Sequence, residues 1–91
     1  MNAYLIIYKI SAEVDESSII NQVKSNHNWA KVSDNCWMVV ADKSSANVRD
    51  ELKSAINGKG SILVINITNQ GWGTFAMPKG LTDWMKENLK Q

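Results

Sequence analysis

The chain has 91 residues, which suits one small domain and excludes two independent cores. A hydrophobic share of 44% with four tryptophans excludes a disordered chain, because large apolar side chains supply a packed interior. Ten basic and nine acidic residues leave a net charge of +1, and Arg49 is the one arginine, so a strongly basic nucleic-acid platform is not indicated.

The chain begins with a pattern typical of a central strand. Both alternating sets of side chains between Ala3 and Ile10 are apolar, which predicts that both faces of this strand are covered. A helix then follows and ends near Asn26. Its inward positions are Ile19, Ile20 and Val23, and its candidate caps are Asp15, Ser17 and Ser18.

A hairpin and a second helix come next. Short strands over residues 29–33 and 36–41 are joined by a two-residue turn, Asp34-Asn35. The second helix is ended by Gly58 and Gly60. Its candidate caps are Ser44 and Ser45, and its inward positions are Val48, Leu52, Ala55 and Ile56.

The last third of the chain predicts a strand, a loop and a helix. The β-branched run over residues 61–68 is typical of a strand with little water on either side, and Asn66 is its one polar interruption. Residues 69–78 contain two glycines and the one proline, which predicts a loop. We expect its large side chains to be tucked against the domain: Trp72, Phe75 and Met77. An amphipathic helix over about residues 80–90 closes the chain, with Leu81, Trp84, Met85 and Leu89 on its inward face.

This order of elements predicts a single α+β domain over residues 1–91. The first six elements match the ferredoxin-like βαββαβ arrangement, a four-stranded antiparallel sheet with two helices on one face, and the C-terminal helix is an addition. Two helices leave the other sheet face uncovered, although two strands are apolar on both sides. We therefore expect a homodimer through the sheet. The alternative is that the tail from Trp72 to Leu89 closes this face within one chain.

Three segments resemble the small CRISPR-associated ferredoxin-like proteins and their stand-alone SinR-like relatives. They are YLIIYKIS at Tyr4–Ser11, CWMVV at Cys36–Val40, and a tail with GWGTF at Gly71–Phe75 and LTDWMKENL at Leu81–Leu89. The resemblance extends over nearly the whole chain and implies a homodimer. Some members of that family are metal-dependent nucleases on RNA or double-stranded DNA, whereas others are structural, nucleic-acid-bridging parts of larger assemblies.

The resemblance also singles out Lys9. In the nuclease members the first strand ends in a Tyr-Asp pair, and the Asp of each subunit holds a divalent cation near the dimer axis; this chain has Tyr8-Lys9 instead. A charged ammonium has no lone pair to offer and repels a cation. We therefore expect no catalytic residue, no metal site and no cofactor, and favour a non-enzymatic binding or assembly module.

The candidate binding residues are Tyr8, Lys9, Lys31 and Trp72. Two Lys9 side chains near a dimer axis would attract a phosphate or another anion, so nucleic acid and nucleotides are candidate ligands; a solvated lysine at a strand end has the same sequence pattern. Trp72 lies between two glycines that let the backbone expose its ring, whereas the other tryptophans are expected in the core or a dimer interface.

Two alternative functions remain open from the sequence. The first is an endonuclease dependent on Mg²⁺ or Mn²⁺ that uses another carboxylate, although turn and cap positions account for each candidate: Glu13, Asp15, Glu16, Asp34 and Asp42. The second is a small-ligand or protein-binding regulator, of defence-system or phage origin, that uses the dimer cleft.

The remaining signals are exclusions. Cys36 is the one cysteine and His27 the one histidine, so an internal disulfide and a zinc site are not expected, and a role for His27 as a catalytic base is not favoured. We expect Cys36 to be a buried thiol on its strand and His27 to be solvated. The apolar run at the start of the sequence is too short to span a bilayer and has no basic leader, so we expect a cytoplasmic protein with no membrane partner.

Overall fold

The computed structural model describes residues 1–26 and 28–89, and His27, Lys90 and Gln91 lie outside this part of the chain. In chain order its elements are β1 (Asn2–Ile10), α1 (Glu16–Lys24), β2 (Asn28–Ser33), β3 (Cys36–Ala41), α2 (Ser45–Ala55), β4 (Gly60–Asn66) and α3 (Lys79–Asn88). The four strands form one antiparallel sheet in the order β2-β3-β1-β4. The predicted α+β class and element order are confirmed, and the strand order is consistent with a ferredoxin-like arrangement.

Side-chain caps begin the first two helices, as the sequence predicted. Asp15 accepts a hydrogen bond from the Ser17 backbone N–H at 3.0 Å, and Ser44 accepts one from the Asn47 backbone N–H at 3.1 Å. Each cap satisfies a donor that the first turn of a helix leaves without an intrahelical partner.

The chain leaves α2 through two residues in the left-handed region. Asn57 has a φ of 55° and Gly58 a φ of 72°, and the Gly58 N–H donates to the carbonyl of Lys53 at 2.9 Å. This bond satisfies a carbonyl of the last helical turn. The helix therefore ends close to Gly58, one of the two glycines that the sequence predicted to end it.

The first core lies between the sheet and helices α1 and α2, on what we call the helix face. From β1 it takes Tyr4, Ile6 and Tyr8, whose alternation along the strand points them to the same side. The residues that cover them are Ile19, Val23, Trp37, Val39, Ala41, Val48, Leu52 and Ile56. Five of these are inward helix positions that the helical period predicted.

A second core lies on the opposite side of the sheet, which we call the open face. Leu81, Met85 and Leu89 at the end of the chain are buried there, against Ala3 and Met38 of the sheet. The tail thus folds back onto its own chain and covers part of this face. This agrees in part with the alternative in which the tail, and not a second subunit, closes the open face.

Hydrogen bonds connect α3 to β2. The Trp84 indole Nε1–H donates to Asn28 Oδ1 at 2.8 Å, and the Asn28 amide donates to Asn88 Oδ1 at 2.7 Å. The Asn88 amide in turn donates to the Trp84 carbonyl at 2.8 Å. These three residues fix the position of the helix along the strand as well as its distance from the sheet.

Two features of the last third of the chain differ from a fully covered arrangement within one chain. β4 pairs with β1 alone as an edge strand, and its open-face side chains Leu63 and Ile65 lie outside the second core and are exposed. In the loop that follows, Phe75 is 93% exposed and Met77 43% exposed, so Phe75 is not tucked against the domain. Trp72 does pack against that core, as predicted.

The helices of the described residues are all too short or too polar to cross a lipid bilayer.

Candidate functional site

The four candidate binding residues do not converge on one place. Tyr8 lies on the helix face and is buried in the first core, whereas its neighbour Lys9 lies on the open face and is exposed. Lys31 of β2 lies directly across from Trp37 of β3 in the strand register, so its side chain is on the helix face, at the β2 edge of the sheet. Trp72 packs at the second core. The alternation of side chains along a strand separates Tyr8 from Lys9, so these adjacent residues belong to different surfaces.

An apolar surface remains uncovered next to Lys9. The register pairs Ile7 with Leu63 across β1 and β4, and it pairs Leu5 with Ile65. Ile7 is 42% exposed, Leu63 51% and Ile65 44%, and all three side chains lie on the open face. We call these three residues the open-face patch. Contiguous exposed aliphatic side chains on a sheet are a feature of interaction surfaces.

Lys9 lies at one end of the open-face patch. It pairs with Ser61 of β4, and together with Ile7 and Leu63 these residues line a shallow depression. No carboxylate within residues 1–26 and 28–89 forms an ion pair with Lys9. Four other lysines each form an ion pair with a carboxylate of the chain: Lys31, Lys43, Lys59 and Lys79. An ammonium in this position can therefore bind an external anion without first releasing an acidic partner.

Lys31 belongs to a group of cations and aromatic rings at the β2 edge of the helix face. Trp29 and Trp37 meet edge to face, with ring centroids 5.7 Å apart. The Lys24 ammonium lies over the Trp29 ring, 4.9 Å from its centroid, and the Lys31 ammonium lies 5.7 Å from that of Trp37. These cation–π contacts already use ring faces that a nucleic-acid base would need.

One of these lysines has an acidic neighbour. Lys31 forms an ion pair with Asp34 at 3.6 Å. Burial raises the pKa of the Tyr8 phenol above its ordinary value, and the negative charges of Glu16 and Asp34 act in the same direction. Tyr8 therefore remains protonated at neutral pH. The surface around the two rings thus combines the ammonium groups of Lys24 and Lys31 with the carboxylate of Asp34.

The carboxylates considered for a metal site are dispersed. Glu13 pairs with Lys59 at 3.4 Å, Asp34 lies in the β-turn, and Asp42 follows the end of β3. Asp15 caps α1, and the Ser17 N–H holds the pKa of that carboxyl below its ordinary value. Within the described part of the chain, no three His, Cys, Asp or Glu residues are grouped as metal ligands would be.

Cys36 is half-buried at the start of β3. Burial raises the pKa of its thiol, so the side chain is protonated at neutral pH and is not an activated nucleophile. The sequence predicted a buried thiol, and the structure shows one that is only half-buried.

Trp72 lies beside a groove that sequence reasoning did not identify. The floor of this groove is the open face of the sheet at Leu5 and Met38, one wall is α3 at Leu81 and Met85, and the opposite wall includes Trp72. We call it the α3 groove, and its cavity volume is about 240 Å³. The signal for it was present in the sequence, since a long apolar stripe on the closing helix needs a sheet face to pack against.

The open-face patch was also not identified by residue from the sequence. Ile7 and Leu63 belong to strands that both read as fully covered, and their pairing depends on the β1–β4 register. The side on which α3 packs, and how far it reaches, then decides which of these side chains remain exposed.

Comparison with known proteins gives no family assignment. No protein-family model matches this chain, and no curated protein matches it either.

Proposed function

We propose that this chain is a homodimeric, non-enzymatic binding module with a ferredoxin-like fold, and that two copies pair through the uncovered part of the sheet. The supporting observation is the open-face patch. Its three members Ile7, Leu63 and Ile65 remain between about two-fifths and one-half exposed although α3 already covers another part of this face. A second copy is a suitable cover, because a two-fold interface brings the same apolar surface onto itself.

The ligand that we propose is a phosphate-bearing one, nucleic acid or a nucleotide, held by Lys9. Lys9 lies at the rim of the open-face patch on the same side of the sheet. Pairing of two patches would place two ammonium groups around one interface, where their charges add. The overall charge of +1 makes such a local pair of cations more important than the long-range field of the protein.

We further propose a relationship to the small CRISPR-associated and SinR-like proteins. It rests on the three segments that resemble them and on the α+β architecture with its consistent strand order. In this view Lys9 replaces the metal-binding aspartate of the nuclease members, so the chain keeps the dimer and the phosphate-bearing ligand and lacks the cation.

Sedimentation velocity tests the dimer. We expect a particle of twice the 10.2 kDa chain mass, and we expect the double variant Leu63→Lys, Ile65→Lys to sediment as a monomer, because four lysines would face one another across the interface. Phe75→Lys is the matched control, since Phe75 is also exposed and lies outside the patch. A monomeric wild-type protein, or a dimer that persists in the double variant, would contradict the proposal.

Titration of single-stranded RNA and duplex DNA oligonucleotides tests the ligand. We expect Lys9→Ala to weaken binding at least fivefold and to reduce its salt dependence, and we expect Lys53→Ala, a lysine on α2 at the other side of the sheet, to change little. Equal effects of the two variants would reject the role of Lys9. Cleavage of either nucleic acid by the wild-type protein with Mg²⁺ or Mn²⁺, lost on changing one carboxylate, would instead establish the nuclease alternative.

A further inference from the structure

The α3 groove is lined almost entirely by apolar side chains. None of its lining residues is charged, and Gln70 and Thr74 are the two polar side chains among them. The groove has a floor and two walls, because sheet, helix and loop each supply a side. Moving a charged group onto such an apolar lining costs free energy, so the groove is suited to an uncharged occupant.

The volume of the groove limits the size of its occupant. An apolar cavity of roughly 150 Å³ is known to bind benzene, which has six non-hydrogen atoms. At the same volume per atom, the 240 Å³ of the α3 groove accommodates about ten such atoms. This is the size of a bicyclic aromatic molecule, and it is too small for a drug-sized ligand or a peptide helix.

Sulfur and an indole give the lining a preference for aromatic rings. Met38, Met77 and Met85 line the groove together with Trp72, so three of the four methionines of the chain lie at this one place. Thioethers are polarisable, adapt to the shape of a ligand and make favourable contacts with aromatic ring edges. Met77 is also 43% exposed, as expected for a side chain at the rim.

We propose that the α3 groove is a binding site for an uncharged aromatic molecule of about ten non-hydrogen atoms. The apolar part lies between sheet and helix, and any polar atom of the ligand lies toward Gln70 and Thr74. This inference is independent of the proposed dimer and of Lys9, since it uses the part of the open face that α3 covers.

Methyl NMR of the methionines tests this site with indole as the probe. We expect the ε-methyl signals of Met38, Met77 and Met85 to shift saturably, with a Kd of about 0.1–1 mM, while the signal of Met1 stays in place. Met1 is exposed and does not line the groove, so it reports nonspecific association. The absence of saturable shifts up to several millimolar indole, or equal shifts of all four methyl groups, would overturn the proposal.

Two variants and one analogue complete the test. Met77→Ala should weaken indole binding at least threefold, whereas Phe75→Ala, a matched exposed residue of the same loop, should leave it unchanged. Val32→Phe fills the groove and should abolish binding, with folding confirmed by circular dichroism. Indole-3-acetate should bind at least tenfold more weakly, because no charged side chain of the groove pairs with its carboxylate. Equal binding of this anion, or unchanged indole binding by the Met77→Ala variant, would overturn the assignment.

Discussion

Gly60 begins β4 at a place where the backbone of β1 approaches closely. A Cβ built at this position would collide with the Lys9 carbonyl oxygen and would lie 3.0 Å from the Ile10 Cα. Its φ of 156° is also one that side chains with a Cβ rarely adopt. The sequence predicted Gly60 as the end of a helix, and the structure shows that its absent side chain permits the β1–β4 pairing that supports the open-face patch.

Gly60→Ala should therefore destabilise the domain by about 1–3 kcal/mol, because the backbone must move or accept strain. The free energy of unfolding in urea measures this change. Gly80→Ala is the control, since an added Cβ at Gly80 meets open space within α3 and should be neutral or slightly stabilising. Equal free energies for the two variants would show that the contact at Gly60 is relieved at no cost.

Ser44 shows how much one cap contributes at this scale. Its hydroxyl accepts the Asn47 N–H at 3.1 Å, so Ser44→Ala should cost about 1 kcal/mol and lower Tm by about 4–8 °C. Ser45→Ala, one residue later and inside the helix, should change Tm by less than about 2 °C. A larger loss at Ser45 would place the cap one residue further along the chain. Both serines were cap candidates in the sequence, and the backbone conformation at Ser44 decided between them.

At the scale of elements, α3 is held to the sheet by apolar burial and by the hydrogen bonds of Asn28. The helical period of the tail predicted the buried residues Leu81, Met85 and Leu89 correctly. The role of Asn28 could not be predicted, because its partners Trp84 and Asn88 are 56 and 60 residues away in the chain. A sequence pattern describes which face of a helix is apolar, and it does not describe the polar groups at the rim of the contact.

Asn28→Ala should destabilise the domain by about 1–3 kcal/mol, because it leaves the Trp84 Nε1–H donor and the Asn88 Oδ1 acceptor without their partner on β2. The loss should be concentrated in α3, so hydrogen exchange should accelerate in residues 79–88 more than in α1 or α2. Asn21→Ala, at an exposed position on α1, should leave exchange in α3 unchanged and should stabilise the domain by less than about 1 kcal/mol through helix propensity. Uniform acceleration over all three helices would show that α3 does not open separately.

At the scale of the whole molecule, the domain has one sheet with cores on both faces and an apolar area left over on β1 and β4. Pairing of two copies there would couple stability to concentration. We expect Tm to rise by about 5–10 °C over a hundredfold increase in protein concentration, as mass action favours the folded dimer. The Leu63→Lys, Ile65→Lys variant should show a Tm independent of concentration. A constant Tm in the wild-type protein would mean that the open-face patch is not a strong dimer contact.

The sequence by itself determined the α+β class, the order of the seven elements, a short set of candidate caps for the first two helices, and the inward face of each helix. These features depend on local periodicity and on hydrogen bonds between residues a few positions apart. Only the tertiary structure decided that β4 is an edge strand, that Phe75 is exposed, and that α3 covers part of the open face and forms a groove. Each of these depends on strand register and on contacts between distant segments. An apolar residue looks the same in the sequence whether its side chain is buried by its own chain, buried by a partner or exposed to solvent.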